Sequence, residues 1–380
     1  MFNLSNEQEM LVSSLEELAE REFADDAFEW NGEVPWDNIA TLAEHGFLGI
    51  NFPMEYGGGG MTEFDAMLSV EAVGRVCPDT AEYLFTQQMV GPRAIEMFGT
   101  EAAKERYLPP MIEGEKDSAV AVAISEPEAG SDVGAMNTRA EEDGDDLIVN
   151  GEKIWVSNVP HSAAAVTWVK FPEGLGSLII DFDAEGIEVA QHYTNMAEHT
   201  QTQFYMNDVR VPKENVLTRG KEGFKQQLKA LNWERMGSVT FANSMARCAL
   251  DKAIEYAGQR EQFDQPIGDF QGIEWKLADM AKELEASRAL AYRAAIDAHN
   301  RGEAPDRLQT SLAKLYSSEM VEKVVTEALQ IHGANGYQQG HPLEYLYRLA
   351  RGRRLAAGTD EIQKTQIADA LKKDGVPSLL

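Results

Sequence analysis

The spacing of apolar residues changes twice along this chain, and those changes limit the folds open to it. Up to about residue 115 apolar side chains recur at three and four. Ser5 and Gln8 make a capping-box pattern ahead of Met10, Leu11, Leu15 and Leu18. Thr62 with Asp65 opens another helix holding Phe64, Leu68 and Val73. From Ser118 to about Val216 the period is two. The runs SAVAVAIS, DLIVNGEKIWVS, AAVTWVKF, GSLIIDF and TQFYMNDVRV read as short strands, with Asn150-Gly151 as a hairpin turn. From about Gly223 the helical spacing returns. Leu277, Met280 and Leu284 share one stripe, and Leu308, Leu312 and Leu315 share another, continued by Val324 and Ala328. Pro305-Asp306 starts that last helix and Gly333 ends it. The predicted architecture is mainly α with a central β domain. It has an N-terminal helical domain (1–117), a small antiparallel β barrel or sandwich (118–222) and a C-terminal four-helix bundle (223–380). The crevice between the β unit and the bundle is the expected ligand site.

Charge and cysteine content narrow the function. The 380 residues carry 63 acidic against 34 basic side chains, a formal charge of −29. That balance repels a phosphate backbone, so nucleic acid is not an expected partner, and it favours solubility in a salty milieu. An anionic ligand can still bind at local arginines or helix N-termini. Cys77 and Cys248 have no ligand spacing; they suit a reducing compartment, with no disulfide framework and no metal centre. The start, MFNLSNEQEMLVSS, lacks a basic region and an apolar run, and no stretch is long enough to span a bilayer, so a cytoplasmic location is expected. The glycines of PMEYGGGGMTE lack the strand–loop–helix setting of a phosphate cradle and read as a turn.

Five motifs in order carry a resemblance. AISEPEAGSD, KIWVSN, REQFDQPIGDFQ, QIHGANGY and AGTDEIQ resemble, with compatible gaps, the segments of the acyl-CoA dehydrogenases, flavoproteins of the same helical, β, helical order. The resemblance implies FAD as cofactor and an acyl-CoA as substrate. By that resemblance Ser125 and the backbone around Glu126 and Ser131 face the flavin and the pantetheine arm. Small residues and exposed amides suit such close approach. Trp155 would cover the flavin ring, and Ser157 would place a hydroxyl where negative charge grows. Arg260 offers a fork for a pyrophosphate in the stretch that also holds Phe263 and reaches a neighbouring subunit. Gln271 and Gln330 supply amide contacts near Gly333, and the helix start at Thr359, with Glu361, holds the cofactor's polar tail. A homodimer or homotetramer and an electron-transfer flavoprotein or similar acceptor are implied as well. The chain departs from the family pattern at Asp264, Ala334 and Leu349.

The family's chemistry needs a base for a weakly acidic thioester α-proton. In many members a glutamate immediately precedes the Gly-Thr of the last motif; here that position is Ala357, ahead of Gly358. In a branch resembling isovaleryl- and long-chain acyl-CoA dehydrogenases, the base stands instead just before an arginine on a helix, and a small residue precedes the Gly-Thr. Glu234-Arg235 in ALNWERMGSVT, with Ala357-Gly358-Thr359, reproduces that pairing. Glu234 is thus the expected base, and the Ala357 N–H an oxyanion donor. Asn232 and Arg235 are expected on the pantetheine arm. Asp360 is placed to cap the last helix. The volume freed at Ala357 suits a branched or bulky acyl group, and Gln87 and Gln88 hint at a polar or short one.

Other readings share these motifs. A relative that eliminates a β-substituent such as a sulfinate also lacks the acid before Gly-Thr; it needs a cation for the leaving anion, and Arg93 is the candidate. A desaturase of a carrier-protein-bound acyl group, or a reductase running the reaction backwards, shows the same relocated glutamate. A non-catalytic scaffold keeping flavin as glue would not need Glu234 or Ser157.

Overall fold

The computed structural model describes residues 4–29 and 32–376. Met1 to Asn3, part of the amino-terminal segment read above, lie outside them. The helices are α1 (Asn6–Glu22), α2 (Trp36–Glu44), α3 (Glu63–Gly74), α4 (Pro78–Met89), α5 (Gly91–Phe98) and α6 (Glu101–Ile112). Then come β1 (Ala119–Ala123), β2 (Arg139–Asp143), β3 (Asp146–Ser157), β4 (Ser162–Phe171), β5 (Gly174–Asp181), β6 (Ile187–Thr194), β7 (Thr200–Pro212) and β8 (Val216–Thr218). The chain ends with α7 (Gly220–Gln259), the short strands β9 (Glu261–Gln262) and β10 (Gln265–Pro266), α8 (Gln271–Arg301), α9 (Arg307–His332), α10 (Pro342–Gly352) and α11 (Asp360–Asp374). The helical, β, helical order expected from the periods is the order observed.

The chain forms two compact units: residues 31–66 with 83–234, and residues 1–30 with 67–82 and 235–380. In the first, one eight-stranded sheet runs β6-β7-β3-β2-β4-β5-β8, with β1 beside β4. This corrects the antiparallel barrel or sandwich: the path is open, and β1 and β2 both run parallel to β4. Parallel neighbours need a long crossover, and the β2–β3 hairpin supplies it. That hairpin also corrects the turn assignment. It turns at Gly144-Asp145, between the paired Asp143 and Asp146, with Gly144 at φ +65°. Asn150-Gly151 lies inside β3, at a bulge against β7. A side chain at 151 would come within 2.6 Å of Thr138 Cα, so the glycine serves close strand approach. One face of the sheet buries Leu147, Val149, Val156, Val169, Ile180 and Phe204. The four-glycine loop is a turn folded back on its own preceding segment, with Gly60 N–H donating to Phe52 O at 2.8 Å and Met61 N–H to Ile50 O at 2.9 Å.

In the helical unit, α1 is capped as expected, Ser5 and Gln8 each bonding the other's backbone. Asp306 caps α9 by accepting from Leu308 and Gln309 N–H, and Gly333 closes it. Along α9 the burial differs from the leucine stripe. Leu308, Leu312 and Leu315 are half-buried, while Thr310, Ala313, Lys314, Ser317 and Val321 face the interior. Cys77 and Cys248 are buried thiols that form no disulfide, and burial pushes both up to about 11. Among the described residues no helix is long and apolar enough to cross a membrane, and no group of histidine, cysteine and acidic side chains could hold a metal.

Candidate active site

In the sheet unit a bulge between Lys153 and Val156 interrupts the alternation of β3: Lys153, Ile154 and Val156 are buried, while Trp155 and Ser157 are exposed. Trp155 is 51% exposed, held at φ +62°, and rests against Tyr193 with ring centroids 4.8 Å apart. The Ile154 N–H donates to Ser125 O at 3.0 Å, which ties the loop after β1 to this strand. Beneath it lies a buried ion pair absent from the sequence reading. Lys153, fully buried, donates to Ile124 O at 3.0 Å and to Glu126 Oε1 at 2.9 Å. Burial lowers the Lys153 ammonium to about 8, against the pull of Glu126. Burial alone would raise the Glu126 carboxyl; the N–H groups of Asn137 and Thr138 and the Lys153 charge bring it below its usual value. The Glu126 side chain is therefore spent inside the fold, and its backbone N–H and carbonyl pair with Ala129 at 2.9 and 3.1 Å. Ser131 is exposed on the same loop.

Glu234 is half-buried on α7. It lines a cleft with Gln227, Ala230 and Leu231 of its own helix face, and with Val90, Ala94, Val122 and Trp168. The water-accessible core of the cleft is about 10 Å3, room for about one water. No cation is among its lining residues. Arg93 is held by Glu63 and by Glu96, the latter at 2.7 Å. The two glutamines correct an expectation. Gln87 Oε1 accepts from Val120 N–H at 2.9 Å and Gln88 Oε1 from Ile50 N–H at 3.3 Å, both side chains being buried. Their amides serve the interior, which removes the hint of a polar acyl group. Asn232 is also buried.

In the helical unit, Arg235 is 4% exposed and its Nε donates to Ala357 O at 3.0 Å. It braces the turn before α11. Thr359, and not Asp360, caps α11, accepting from Ile362 N–H at 3.3 Å. Asp360 turns inward, where Ser318 Oγ donates to it at 2.7 Å and Arg354 Nε at 2.6 Å. Glu361 is exposed on the first turn. Arg260, Phe263, Gln271, Gln330 and Gly333 are all exposed. Phe263 and Asp264 form the tip of the β9–β10 hairpin at φ +56° and +65°, and Phe263 is 89% exposed. Asp tolerates the left-handed region better than most residues, which accounts for Asp264 where a glycine is usual.

Comparison with known proteins fits this arrangement. Family models match in register: "Acyl-CoA dehydrogenase, N-terminal domain" over residues 5–115, "middle domain" over 121–209 and "C-terminal domain" over 221–372. The chain belongs to the acyl-CoA dehydrogenase family. As an acyl-CoA dehydrogenase family enzyme it is 35% identical to the probable acyl-CoA dehydrogenase YngJ of Bacillus subtilis, over 98% of this chain and 100% of the relative. It is 34% identical to the caffeyl-CoA reductase-Etf complex subunit CarC of Acetobacterium woodii, covering 97% and 99%. A 3-sulfinopropanoyl-CoA desulfinase of Advenella mimigardefordensis is 32% identical, covering 98% and 95%. Among solved structures, the glutaryl-coenzyme A dehydrogenase glutaryl-CoA complex has TM-score 0.92 and 31% identity over 99% of this chain and 97% of its own. The FAD complex of PigA has TM-score 0.89 and 25% identity over 98% and 99%.

Proposed function

We propose that this family member dehydrogenates a short or branched acyl thioester, with Glu234 taking the α-proton. FAD is the cofactor, and when bound it supplies the two-electron acceptor for the β-hydrogen that leaves as hydride. The fit of the chain to a flavin rests on Trp155 and Ser157. An indole left half-exposed beside a free-standing hydroxyl on a rigid strand serves no core, and suits a flat polar ring. Arg260, Phe263, Gln271, Gln330, Gly333, Thr359 and Glu361 would hold the rest of the cofactor.

The observation that carries the reading is Glu234 in an apolar cleft while Ala357 stands where it cannot accept a proton. A cleft with room for about one water suits removal of a weakly acidic C–H proton, because the carboxylate is little shielded. As the α C–H electron pair moves onto the thioester oxygen, the charge that grows there calls for N–H donors.

The names of the relatives keep a second reading in view, elimination of a β-sulfinate. Against it, no lining residue of the cleft is cationic, and Arg93 is already engaged by two carboxylates. Other relatives are reductases, so the direction of turnover follows from the redox partner. The Etf-complex relative supports an electron-transfer flavoprotein as that partner, and the exposed Arg260 hairpin supports a homodimer or homotetramer.

The test is Glu234→Gln in the FAD-loaded enzyme. It should retain FAD and bind acyl-CoA, but anaerobic bleaching of the flavin should slow about a hundred- to ten-thousand-fold. Bleaching at the wild-type rate would refute the assignment and bring elimination to the fore.

A further inference from the structure

One face of α7 turns toward β4. Phe224, Gln227, Leu231 and Glu234 recur at three and four along the helix, so they stack on one side. The Trp168 ring of β4 meets Phe224 edge-on, with centroids 5.9 Å apart. Trp168, Gln227 and Glu234 line the same cleft. Trp168 is 2% exposed and Gln227 4%. An indole N–H can only donate, and among the described residues Trp168 Nε1 is buried without an acceptor.

Gln227 brings a second donor. Ser177 Oγ donates to its Oε1 at 2.6 Å, and Thr218 Oγ1 lies 3.3 Å from the same oxygen. The two hydroxyls also bond each other at 3.0 Å, which holds the amide from behind. A side-chain amide carries its oxygen and nitrogen on opposite sides of one carbon, so holding Oε1 turns Nε2 away from the hydroxyls. Among the described residues Nε2 meets no acceptor. A buried N–H without an acceptor is costly, so the pair marks where an acceptor arrives. The core of the cleft, about 10 Å3, takes one atom the size of a water oxygen.

We propose that Trp168 and Gln227 select an acyl thioester whose chain carries an uncharged oxygen acceptor, a ketone, hydroxyl or ether, beyond the reacting carbons. This rests on the dehydrogenation reading above. Gln227 stands seven residues before Glu234, about 10 Å along the helix axis. The thioester oxygen is two bonds from the carbon that Glu234 deprotonates, so donors two turns away serve a later atom of the chain. That atom is uncharged, because no cation lines the cleft and the Glu234 carboxylate repels a second anion there. A hydrocarbon chain in the same place would leave both donors buried and unmet, and this is the basis of the discrimination.

The experiment measures equilibrium binding to the FAD-loaded enzyme by the shift in flavin absorbance. The probes are S-alkyl-CoA thioethers, which have no acidic α-proton and so bind without turnover. One series carries a ketone at the fourth, fifth or sixth carbon of the chain. Its counterparts carry a methylene group in place of the ketone oxygen, which keeps the shape and removes the acceptor. One ketone of the series should bind at least about tenfold more tightly than its counterpart. Trp168→Phe keeps an aromatic ring and removes the donor; it should erase most of that preference while the methylene probes bind as before. Should Trp168→Phe fail to hold FAD, Gln227→Met decides, since Ser177 and Thr218 keep each other as partners. It must likewise erase the preference. No preferred ketone at any position, or a preference that survives either FAD-loaded variant, overturns the proposal. So does an equal loss across all probes, which would put the donors on the CoA portion common to them, and so does tighter binding of a thioether ending in a carboxylate. Because these probes are not oxidised, the result is independent of the Glu234→Gln test: the base can fail while the preference stands, and the preference can fail while the base stands.

Discussion

Replacing Lys153 by methionine probes the clamp under the loop after β1. Methionine keeps most of the buried stem and removes only the ammonium, which donates to Ile124 O and Glu126 Oε1 at 3.0 and 2.9 Å. Removing one partner of a buried ion pair costs about 3–5 kcal/mol. Glu126 would keep the N–H groups of Asn137 and Thr138, so the loss should lie near the lower end, about 3 kcal/mol. The pH dependence carries its own sign. Burial lowers Lys153 from 10.5 to about 8, so between those values the folded protein releases a proton that the unfolded chain still holds. The unfolded state then binds more protons, and wild-type stability rises with pH through that window, by at most about 3 kcal/mol. The variant lacks this rise, so the gap should widen from neutral pH toward pH 10. Urea unfolding of the FAD-loaded protein, followed by far-ultraviolet circular dichroism at both pH values, measures it. The double variant Lys153→Met/Glu126→Gln should recover much of the loss, because it leaves no unpaired buried charge. A Lys153→Met enzyme as stable as wild type at neutral pH, with a constant gap at high pH, would refute the clamp.

Two further outcomes are expected. Arg260→Ala should weaken FAD retention and loosen the oligomer together, read by flavin absorbance and sedimentation; a variant that keeps both makes Arg260 an ordinary surface arginine. The formal charge of −29 should make the protein salt-stabilised, its melting temperature rising as salt shortens the Debye length from about 30 Å at 0.01 M to about 3 Å at 1 M; a flat or falling profile would show that its acids are already balanced locally.

What the sequence determined by itself is what contiguous residues can encode. The helical and strand periods, the Ser5–Gln8 and Asp306 caps and the stop at Gly333 all depend on neighbours within a turn or a strand. They appear where their spacing places them. The five motifs likewise sit in short runs, and they carried the family and its cofactor. Asn150-Gly151 shows the boundary of that reach. The pair favours a hairpin, but Thr138 of the neighbouring segment leaves no room for a side chain at 151, and the glycine is used inside a strand. Tertiary structure alone decided where the buried charges go. Glu126 and Lys153 are 27 residues apart, Lys314 and Arg353 are 39 apart, and Arg235 and Ala357 are 122 apart. Nothing in local spacing marks a lysine as interior, and a polar residue on α9 reads as a solvent face until its distant partner is known. Charges enter a core only when a partner from elsewhere in the chain meets them there, so the pairings that shape this site exist only once the fold has formed.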